Sequence, residues 1–501
     1  MKVVLPRRRR TSQQATGMSL GQGTLYLTLA SLVFIVSGYI IHVWLGHYLG
    51  PEEYGVYGVV IQVMTALNMI HYVGVPQAVS KYIAQDESRA DAILRSGLVL
   101  QVSSTLGIAV VFFLLAQPVA RLLNDDALTP YIRTSALVLV PYSVMTLYMT
   151  GYYNGLHQFK RQALMNIVYS AAKTVSVIGL VYVFHVYGAI IGFVVSPMVG
   201  LLVGVRLPRF TGERFPYRPL IRFSAPLILF SVLSTLQLSA DLFFVKALLP
   251  DAAESGYYTA NQNIARIPYF AFTGLAFVLL PSISRSVSRD HVEQTRELIR
   301  QSMRYVLLLL VPSTLLISAT SAQILQILYG DAYAPAAGSL SLLVAGLGFV
   351  TVFGLLSNIL SGAGRPRLPM TLAGLGLLIT ALSCSVLIPW LGLTGAALAT
   401  ALGGLVSMAA AALAVYRQFG GIVPLRSLLR IAIAAVPTYL LATSFPTAIP
   451  LLPVLYGASL VVYLLILTAL GELRQQDWRW AQETLLARLP PGARFTLRGP
   501  R

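Results

Sequence analysis

Apolar runs of about twenty residues recur along this chain from Thr24 to Gly471, separated by short polar or Gly/Pro-rich breaks. A run of that length, coiled as an α-helix with a rise of about 1.5 Å per residue, crosses a hydrocarbon core of about 30 Å. Only 11% of the residues are charged and 56% are hydrophobic, whereas soluble domains carry roughly 25% charged residues. The sequence therefore predicts an all-α, multi-pass membrane protein.

The distribution of basic residues predicts the orientation of this protein in the membrane. Dividing the chain at the breaks gives about fourteen transmembrane helices. If Met1 is cytoplasmic, every second loop should be rich in Lys and Arg, and this is the case. The predicted inner loops contain clusters such as Lys160 with Arg161, whereas the predicted outer loops hold only Arg121 and Arg133. We therefore expect both termini on the cytoplasmic side of the cell membrane.

The chain also repeats itself. The segment YGAIIGF from Tyr187 corresponds to TGAALAT from Thr394, and NGLHQFKRQALMNIV from Asn154 corresponds to SGAGRPRLPMTLAG from Ser361, both at an offset of 207 residues. A third pair, YLGPEEYGVYG from Tyr48 and ALLPDAAESGYYT from Ala247, has an offset close to 200. Such an offset indicates a duplication into two pseudo-symmetric lobes of about six helices each. The predicted organisation is a basic cytoplasmic N-terminus (1–23), an N-terminal lobe (24–206), a basic cytoplasmic linker (207–219), a C-terminal lobe (220–416), two additional transmembrane helices (417–471) and a basic cytoplasmic tail (472–501).

Asp241 is the one acidic residue that falls within a predicted span. Counted along the helices from the neighbouring turns, Asp241 and Arg266 lie at the same depth, roughly 14 to 15 Å below the outer surface, and Lys173 also lies near the midplane. Two cations and one anion at this level would attract a phosphate or pyrophosphate. The alternative for Asp241 and Arg266 is a structural ion pair between adjacent helices, and Lys246 is expected to snorkel outward.

Other polar and helix-breaking residues in the spans leave two interpretations open. Asn68 and His71, one turn apart in the second span, line the same cavity or only hydrogen-bond between helices. Pro76, Pro226 and Pro268 are candidate hinges, because a proline removes one helical hydrogen bond and kinks the helix. Static kinks are the alternative, since proline is common in membrane helices.

Several classes of function are disfavoured by what the sequence lacks. None of its five lysines follows a glycine, so there is no Walker A motif for ATP hydrolysis, and neither HExxH nor GxSxG occurs. The single cysteine, Cys384, permits no disulfide framework or thiolate metal cluster. The net charge of +18 follows the predicted inner loops, which indicates anionic lipid headgroups rather than nucleic acid as the partner. We expect no catalytic residues, no metal and no bound cofactor.

Two segments carry a resemblance to a known family. They are LGHYLGPEEYGVYGVVIQVMTALNMIHYVGVPQAVSKYIA in the first half and SADLFFVKALLPDAAESGYYTANQNIARIPYFAFTGLAFVLLPSISR in the second. Both resemble the polysaccharide biosynthesis flippases, the O-antigen flippase type of the multidrug/oligosaccharidyl-lipid/polysaccharide exporter superfamily. Similar proteins carry an acidic residue in the seventh helix and an arginine in the eighth, where this chain has Asp241 and Arg266. Lys173 is assigned to the cavity from its depth alone.

The resemblance implies two lobes around a central cationic cavity, followed by two additional helices. It implies transport of a polyprenyl-diphosphate-linked oligosaccharide by alternating access, with the lipid tail in the bilayer or in a groove beside the additional helices. Partners would be this lipid-linked glycan, membrane lipids and the glycan polymerase or glycosyltransferases of the same pathway, and we expect a monomer. Coupling to H⁺ or Na⁺ through Asp241 stays open.

Three alternative functions remain at this point. A cation-coupled exporter of drugs or metabolites would share the core of about twelve helices, but the two extra helices and the cationic cavity disfavour it. A lipid II flippase is disfavoured because related proteins carry charged residues in the first helix, where this chain has only His42, which we expect to anchor at the membrane interface. A glycan polymerase or ligase would need a long, charged outer loop, and none is found.

Overall fold

The computed structural model describes residues 20–209, 213–288, 292–365, 367–444 and 449–473. Within these ranges all regular structure is helical and no residue forms a β-strand. The helices are α1 (Leu20–Val73), α2 (Val75–Gln85), α3 (Ala90–Leu122), α4 (Leu128–Thr146), α5 (Phe159–Gly204), α6 (Tyr217–Gln237), α7 (Ala240–Leu248), α8 (Ala252–Ser288), α9 (Val292–Ala319), α10 (Ser321–Tyr329), α11 (Ala337–Gly362), α12 (Arg367–Phe419), α13 (Leu425–Ser444) and α14 (Leu452–Ala469). A π-helix, Leu147–Tyr153, continues α4, and short 3₁₀ helices occur at Glu87–Arg89, Asp331–Ala336 and Ile449–Leu451.

Three of the helices reverse direction at a single residue with non-helical dihedral angles. These residues are Gly50 in α1, His185 in α5 and Gly392 in α12. In α5 the Ser176 hydroxyl donates to the Gly192 carbonyl oxygen at 3.1 Å, although residues this far apart in a continuous helix would be separated by about 24 Å. The α5 range is therefore a helical hairpin with two antiparallel segments.

In both α5 and α12 a glycine after the reversal packs against the backbone of the segment before it. A Cβ on Gly188 would lie 2.1 Å from the Leu180 carbonyl oxygen, and a Cβ on Gly395 would lie 2.3 Å from the Leu387 carbonyl oxygen. Any larger residue would clash with backbone at either position. The two glycines are 207 residues apart, as are the two reversal residues, which is the offset found in the sequence.

Ten helical stretches in the described ranges are long and apolar enough to span a membrane. Three of them, 22–85, 159–204 and 367–419, contain the reversal residues, so each has the length for two crossings. The protein is thus a multi-pass, all-α membrane protein. The count of fourteen helices stays a prediction, and the predicted termini, 1–23 and 472–501, lie almost entirely outside the described residues.

The chain divides into two compact units. Among the described residues, the first unit contains those up to Asn263 together with Leu328–Pro335 and Leu377–Ala399, and the second contains those of Ile264–Ile327, Ala336–Gly376 and the range from Thr400 onward. The core of the first unit is built largely from α2, α3, the π-helix and α5, and the core of the second from α9, α11 and α12. The lobe limits inferred from the repeat stay a prediction.

A buried ion-pair cluster closes the end of α14 in the second unit. Glu472, 3% exposed, accepts hydrogen bonds from Arg304 Nε at 2.7 Å and from Arg430 Nη1 at 3.2 Å. Arg304 and Arg430 lie on α9 and α13, so the cluster ties both helices to the end of α14. The Glu472 and Gly471 amides also donate to the Leu467 and Thr468 carbonyls, with Gly471 at φ +67°, which forms a Schellman cap.

Replacing Glu472 by Gln is expected to lower the stability of the second unit at neutral pH. Burial alone would raise the pKa of this carboxyl, but hydrogen bonds from Arg304, Ser427 and Arg430 outweigh burial and lower that pKa from its ordinary value of 4.5. The stabilisation is therefore complete above pH 4.5 and is lost as the pH falls through the lower folded-state pKa. Removing one partner of such a buried cluster costs on the order of 3 kcal/mol.

The melting temperature of the purified protein, measured from pH 7 to pH 3.5, checks this expectation. Glu293→Gln is the matched control, because Glu293 also pairs with an arginine of α9, Arg296, at 2.8 Å but its side chain is 78% exposed. Exposed pairs contribute roughly 0 to 1 kcal/mol. The interpretation would be wrong if the two variants melted together at pH 7, or if the Glu472→Gln deficit did not shrink on acidification.

Candidate functional site

Asp241 lies in a break between two helices. In the first unit α6 ends at Gln237 and α7 begins at Ala240, so the predicted seventh span is discontinuous. The first turn of a helix presents backbone N–H groups without helical partners, and these stabilise a carboxylate. Asp241 occupies that turn and is 1% exposed. Discontinuous spans with polar residues at the break are typical of binding sites in membrane transporters.

Three donors surround the Asp241 carboxylate. Tyr258 Oη donates to Oδ2 at 2.7 Å, Gln262 Nε2 donates to Oδ1 at 2.7 Å, and the Leu242 amide donates to Oδ1 at 2.9 Å. Tyr258 and Gln262 are one turn apart on α8. Hydrogen bonds to an ionised acceptor are roughly twice as strong as neutral ones, so this carboxylate is held in a fixed position. Arg266 is half-buried in the second unit, and its predicted pairing with Asp241 stays a prediction.

Lys173 is surrounded by aromatic rings. It is 5% exposed, and its Nζ lies 4.4 Å from the ring centroid of Phe34, 5.6 Å from that of Tyr169 and 6.0 Å from that of Phe193. No carboxylate pairs with it in the part of the chain that the structure describes. Aromatic faces stabilise a desolvated ammonium by up to roughly 2 kcal/mol. Lys173 is therefore a buried amine with aromatic rings around it and with no anionic partner among the described residues.

Asn68 and His71 form a second buried polar group in the first unit. His71 Nδ1 is 3.1 Å from the Thr105 hydroxyl, and Gln101 Nε2 donates to the His71 carbonyl at 3.1 Å. Among the described residues, neither His71 Nε2 nor Asn68 Oδ1 has a hydrogen-bond partner. These contacts place His71 in a bundle with α3, in line with an interhelical role. A position in the substrate cavity stays a prediction for both residues.

The structure also reveals a cationic cavity that the sequence analysis missed. In the first unit Lys81, Arg218 and Arg222 line a cavity of about 660 Å³. Lys81 Nζ lies 4.1 Å from the Phe223 ring centroid, and all three side chains are exposed. Within the described ranges, none of the three has an ion-pair or hydrogen-bond partner in the protein. We call this group of three the inner cation cluster.

A polar cavity of about 350 Å³ adjoins the inner cation cluster, because Lys81 lines both. Its other walls carry hydroxyl and amide groups, contributed by Tyr72, Gln77, Ser80, Thr150, Asn154 and Gln162. Thr150 lies in the π-helix that follows α4, and Asn154 follows it directly. Single π-helical turns occur often at functional sites, since they shift side chains out of the regular helical register. Asn154 is positioned by a hydrogen bond to Ser80 at 2.9 Å.

The spacing of the basic residues was a usable signal for this cluster. Arg218 and Arg222 are four residues apart at the start of α6, so they lie on the same face of the helix. In the sequence alone they belong to the basic residues at a predicted inner loop. Lys81 comes from α2 and could not be associated with them from the sequence, because more than 130 residues separate the two segments.

Two residues that were expected at the membrane interface have partners that the sequence does not show, and for Lys246 the expectation is wrong. Lys246 does not snorkel outward, since its Nζ pairs with Asp125 Oδ2 at 2.7 Å and its side chain is 9% exposed. His42 Nδ1 contacts Tyr54 Oη at 3.0 Å and Asn263 Nδ2 at 3.1 Å, and its place at the membrane interface stays a prediction. In both cases the partner is distant in the sequence or lies across a helical reversal, so it is not visible as a local pattern.

The candidate hinge prolines occupy different helical positions. Pro76 lies in the first turn of α2, directly after a break at Gly74 that ends α1. Pro226 and Pro268 lie within α6 and α8. Movement at these three positions stays a prediction. In the described part of the chain no group of three or more His, Cys, Asp or Glu side chains is arranged to hold a metal ion.

Comparison with known families decides the identity. A model described as "Polysaccharide biosynthesis protein" matches residues 20–287, more than half of the chain. The chain belongs to this family. A second model, described as MatE, matches residues 226–387. The family and fold class predicted from the sequence are confirmed.

The relatives of this family member include proteins with and without a named role. Stage V sporulation protein B of Bacillus subtilis is 22% identical over 354 residues, which covers 62% of this chain and 67% of that protein. The uncharacterized membrane protein MJ1068 of Methanocaldococcus jannaschii is 28% identical over 144 residues, but this match spans only 28% of that protein.

Solved structures share the fold of this family member. The lipid II flippase MurJ, in an inward closed conformation, aligns with a TM-score of 0.74 at 14% identity and covers 88% of this chain and 98% of that one. A multidrug resistance MATE family transporter of the MOP superfamily, in an inward-facing conformation, aligns with a TM-score of 0.67 at 16% identity and covers 79% and 98%. The chain therefore has the two-lobe fold of the flippases and transporters of this superfamily.

Proposed function

We propose that this protein moves a polyprenyl-diphosphate-linked oligosaccharide from the inner to the outer leaflet of the cytoplasmic membrane, by alternating access and without covalent chemistry. The observation that carries the proposal is the inner cation cluster. Three cations without carboxylate partners in the described chain line one cavity, which adjoins a second cavity of hydroxyl and amide groups. A diphosphate matches the first cavity and sugar hydroxyls match the second.

The cost of moving a glycan headgroup through hydrocarbon explains why such cavities are needed. Each polar group that loses its hydrogen bonds costs roughly 2 to 7 kcal/mol, and a diphosphate-linked oligosaccharide carries many hydroxyls in addition to its charges. Side chains such as Gln77, Asn154 and Gln162 replace part of the lost hydration. The two cavities therefore lower the barrier for the headgroup, while the lipid tail stays in an apolar environment.

Lys173 and Arg266, both predicted near the middle of the bilayer, complete the proposed path of the diphosphate across the membrane. Lys173 is a buried cation without an anionic partner in the described chain, and Arg266 is a second basic residue predicted at that depth. In the proposed cycle the diphosphate passes from the inner cation cluster to these two residues. In this proposal Asp241 orients Arg266 in the unloaded state and is the candidate for binding H⁺ or Na⁺, so that transport is coupled to an ion gradient. Both termini are cytoplasmic in this proposal, and the protein acts as a monomer beside the polymerase or glycosyltransferases of its pathway.

A cation-coupled exporter of drugs or metabolites is the second candidate, favoured by the MatE match to residues 226–387. Lipid II is an alternative glycan substrate, because the lipid II flippase MurJ has the same fold. The inner cation cluster favours a lipid-linked glycan over a cationic drug as the substrate, since it attracts diphosphates and repels cations.

Transport by purified protein in sealed vesicles tests the proposal. We expect the protein to accelerate the movement of a fluorescent polyprenyl-diphosphate glycan, and not of a fluorescent phosphatidylcholine, relative to empty vesicles. Lipid II and a cationic dye are assayed in parallel to separate the alternatives. If no polyprenyl-diphosphate glycan moves faster with the protein, and the dye does, the exporter is the correct function.

A further inference from the structure

Three arginines of α9 differ in their pairing. Arg296, Arg300 and Arg304 are four residues apart, so they lie along one face of the helix. Arg296 donates to the Phe419 carbonyl at 2.6 Å, and Arg304 belongs to the ion-pair cluster at the end of α14. Arg300, between them, is half-buried and makes no hydrogen bond or ion pair with any described residue. A guanidinium in this environment is available to an anion from outside the protein.

Arg300 lies at one end of an apolar cavity within the second unit. The cavity has a volume of about 800 Å³ and is lined by α9, α11, α12 and the loop that leads into α13. Its walls are largely aliphatic and aromatic, with Leu307, Val311, Phe349 and Met408 among them, and Arg300 is its one charged side chain among the described residues. Leu428, also in the wall, is exposed, so the cavity is open to the outside of the unit.

The backbone beside Arg300 is shaped to admit the guanidinium. A Cβ on Gly421 would lie 2.8 Å from Arg300 Nε, so a larger residue there would displace the guanidinium from this position. Along α9 the cavity extends from Arg300 to Thr314, about 21 Å. One leaflet of the hydrocarbon core is about 15 Å thick, so the cavity has the length to hold one lipid chain while Arg300 stays near the headgroup region.

We propose that this cavity binds an anionic glycerophospholipid of the surrounding membrane, with one acyl chain between α9, α11 and α12 and with its phosphate on Arg300. The charges match, because one guanidinium pairs with one phosphodiester. A polyprenyl diphosphate carries more charge than Arg300 alone neutralises, and its chain is longer than the cavity. The site is thus distinct from the inner cation cluster of the first unit.

Lipid retention by the purified full-length protein tests this inference. Native mass spectrometry is performed with added phosphatidylglycerol or phosphatidylcholine of the same chains, and a photoreactive acyl chain on phosphatidylglycerol maps the contact to peptides. We expect the protein to prefer phosphatidylglycerol by about tenfold, the effect of one charge-assisted hydrogen bond. Crosslinks should fall on the α9 segment between Arg300 and Thr314.

Three variants make the test specific. Arg300→Ala should remove the preference for phosphatidylglycerol, Ala345→Phe should reduce the crosslinks from both lipids by filling the cavity, and Arg365→Ala, an exposed arginine of the same unit, should change neither. All three should melt as the native protein does in lipid-free detergent. Equal binding of the two lipids, an undiminished preference in Arg300→Ala, or displacement of phosphatidylglycerol by an equimolar polyprenyl phosphate would overturn the inference.

Discussion

Replacing Lys81, Arg218 and Arg222 together by Gln is expected to reduce transport of the lipid-linked glycan by about 100-fold. A charge-assisted hydrogen bond contributes roughly 1.5 to 3 kcal/mol, and exposure of these side chains reduces this to about 1 kcal/mol each. Since about 1.4 kcal/mol corresponds to a factor of ten, losing all three contacts gives the stated effect. The amount of folded protein should not change, because removing these cations leaves no carboxylate unpaired in the described chain.

A loss of basic residues could also act through membrane orientation, so the control must remove the same charge. Arg365, Arg367 and Arg426 are three exposed arginines of other predicted inner loops, and they line neither cavity of the first unit. Their replacement by Gln weakens the positive-inside pattern as much as the cavity triple variant does. Both cavities keep their cations, so transport should stay within about twofold of the native rate. Full transport by the cavity triple variant in its native orientation would show that the inner cation cluster does not bind the substrate.

The fold was largely predictable because its signals are local or periodic. A run of apolar residues specifies a spanning helix wherever it occurs, since backbone groups in hydrocarbon must be paired internally. The duplication was visible because Gly188 and Gly395 face the same steric constraint, a carbonyl oxygen within 2.3 Å of a would-be Cβ, and such a constraint keeps a small residue at both positions. The count of spans is harder, since α5 and α12 reverse at a single residue without a polar loop.

The candidate site was predictable only in part, because its contacts join segments that are distant in sequence. Asp241 was identified from its position in an apolar span. Its hydrogen-bond donors lie on α8 and reach it because the chain turns between α7 and α8, which the sequence does not show. The aromatic surroundings of Lys173 come from Phe34 and Phe193 on other segments, and no local pattern marks them. The pairing of Lys246 with Asp125 joins α7 to the loop after α3. A charged residue within an apolar span indicates a free-energy cost of burial, and only the folded structure shows which contacts offset that cost.

Lys173→Met is expected to abolish transport while slightly raising the melting temperature. A charge at the centre of a span costs about 2.5 to 3.5 kcal/mol on insertion scales, and cation–π contacts with the surrounding rings return roughly 2 kcal/mol. Methionine has similar length and flexibility and packs well against aromatic rings. The variant thus removes a net cost of about 1 kcal/mol together with the charge that the proposed mechanism requires. A residue whose removal stabilises the fold and destroys activity is retained for function.

Lys246→Met is the matched comparison, with the opposite expectation for stability. Lys246 offsets the partly buried Asp125 carboxylate at 2.7 Å, so its loss leaves that group without its cation and costs roughly 1 to 3 kcal/mol. Transport per folded molecule should be retained, because this pair is not part of the proposed path. Melting temperature and glycan flipping are measured for both variants at the same vesicle loading. If Lys173→Met were destabilised and still transported at the native rate, the buried ammonium would be a structural element, and the diphosphate would cross the midplane without it.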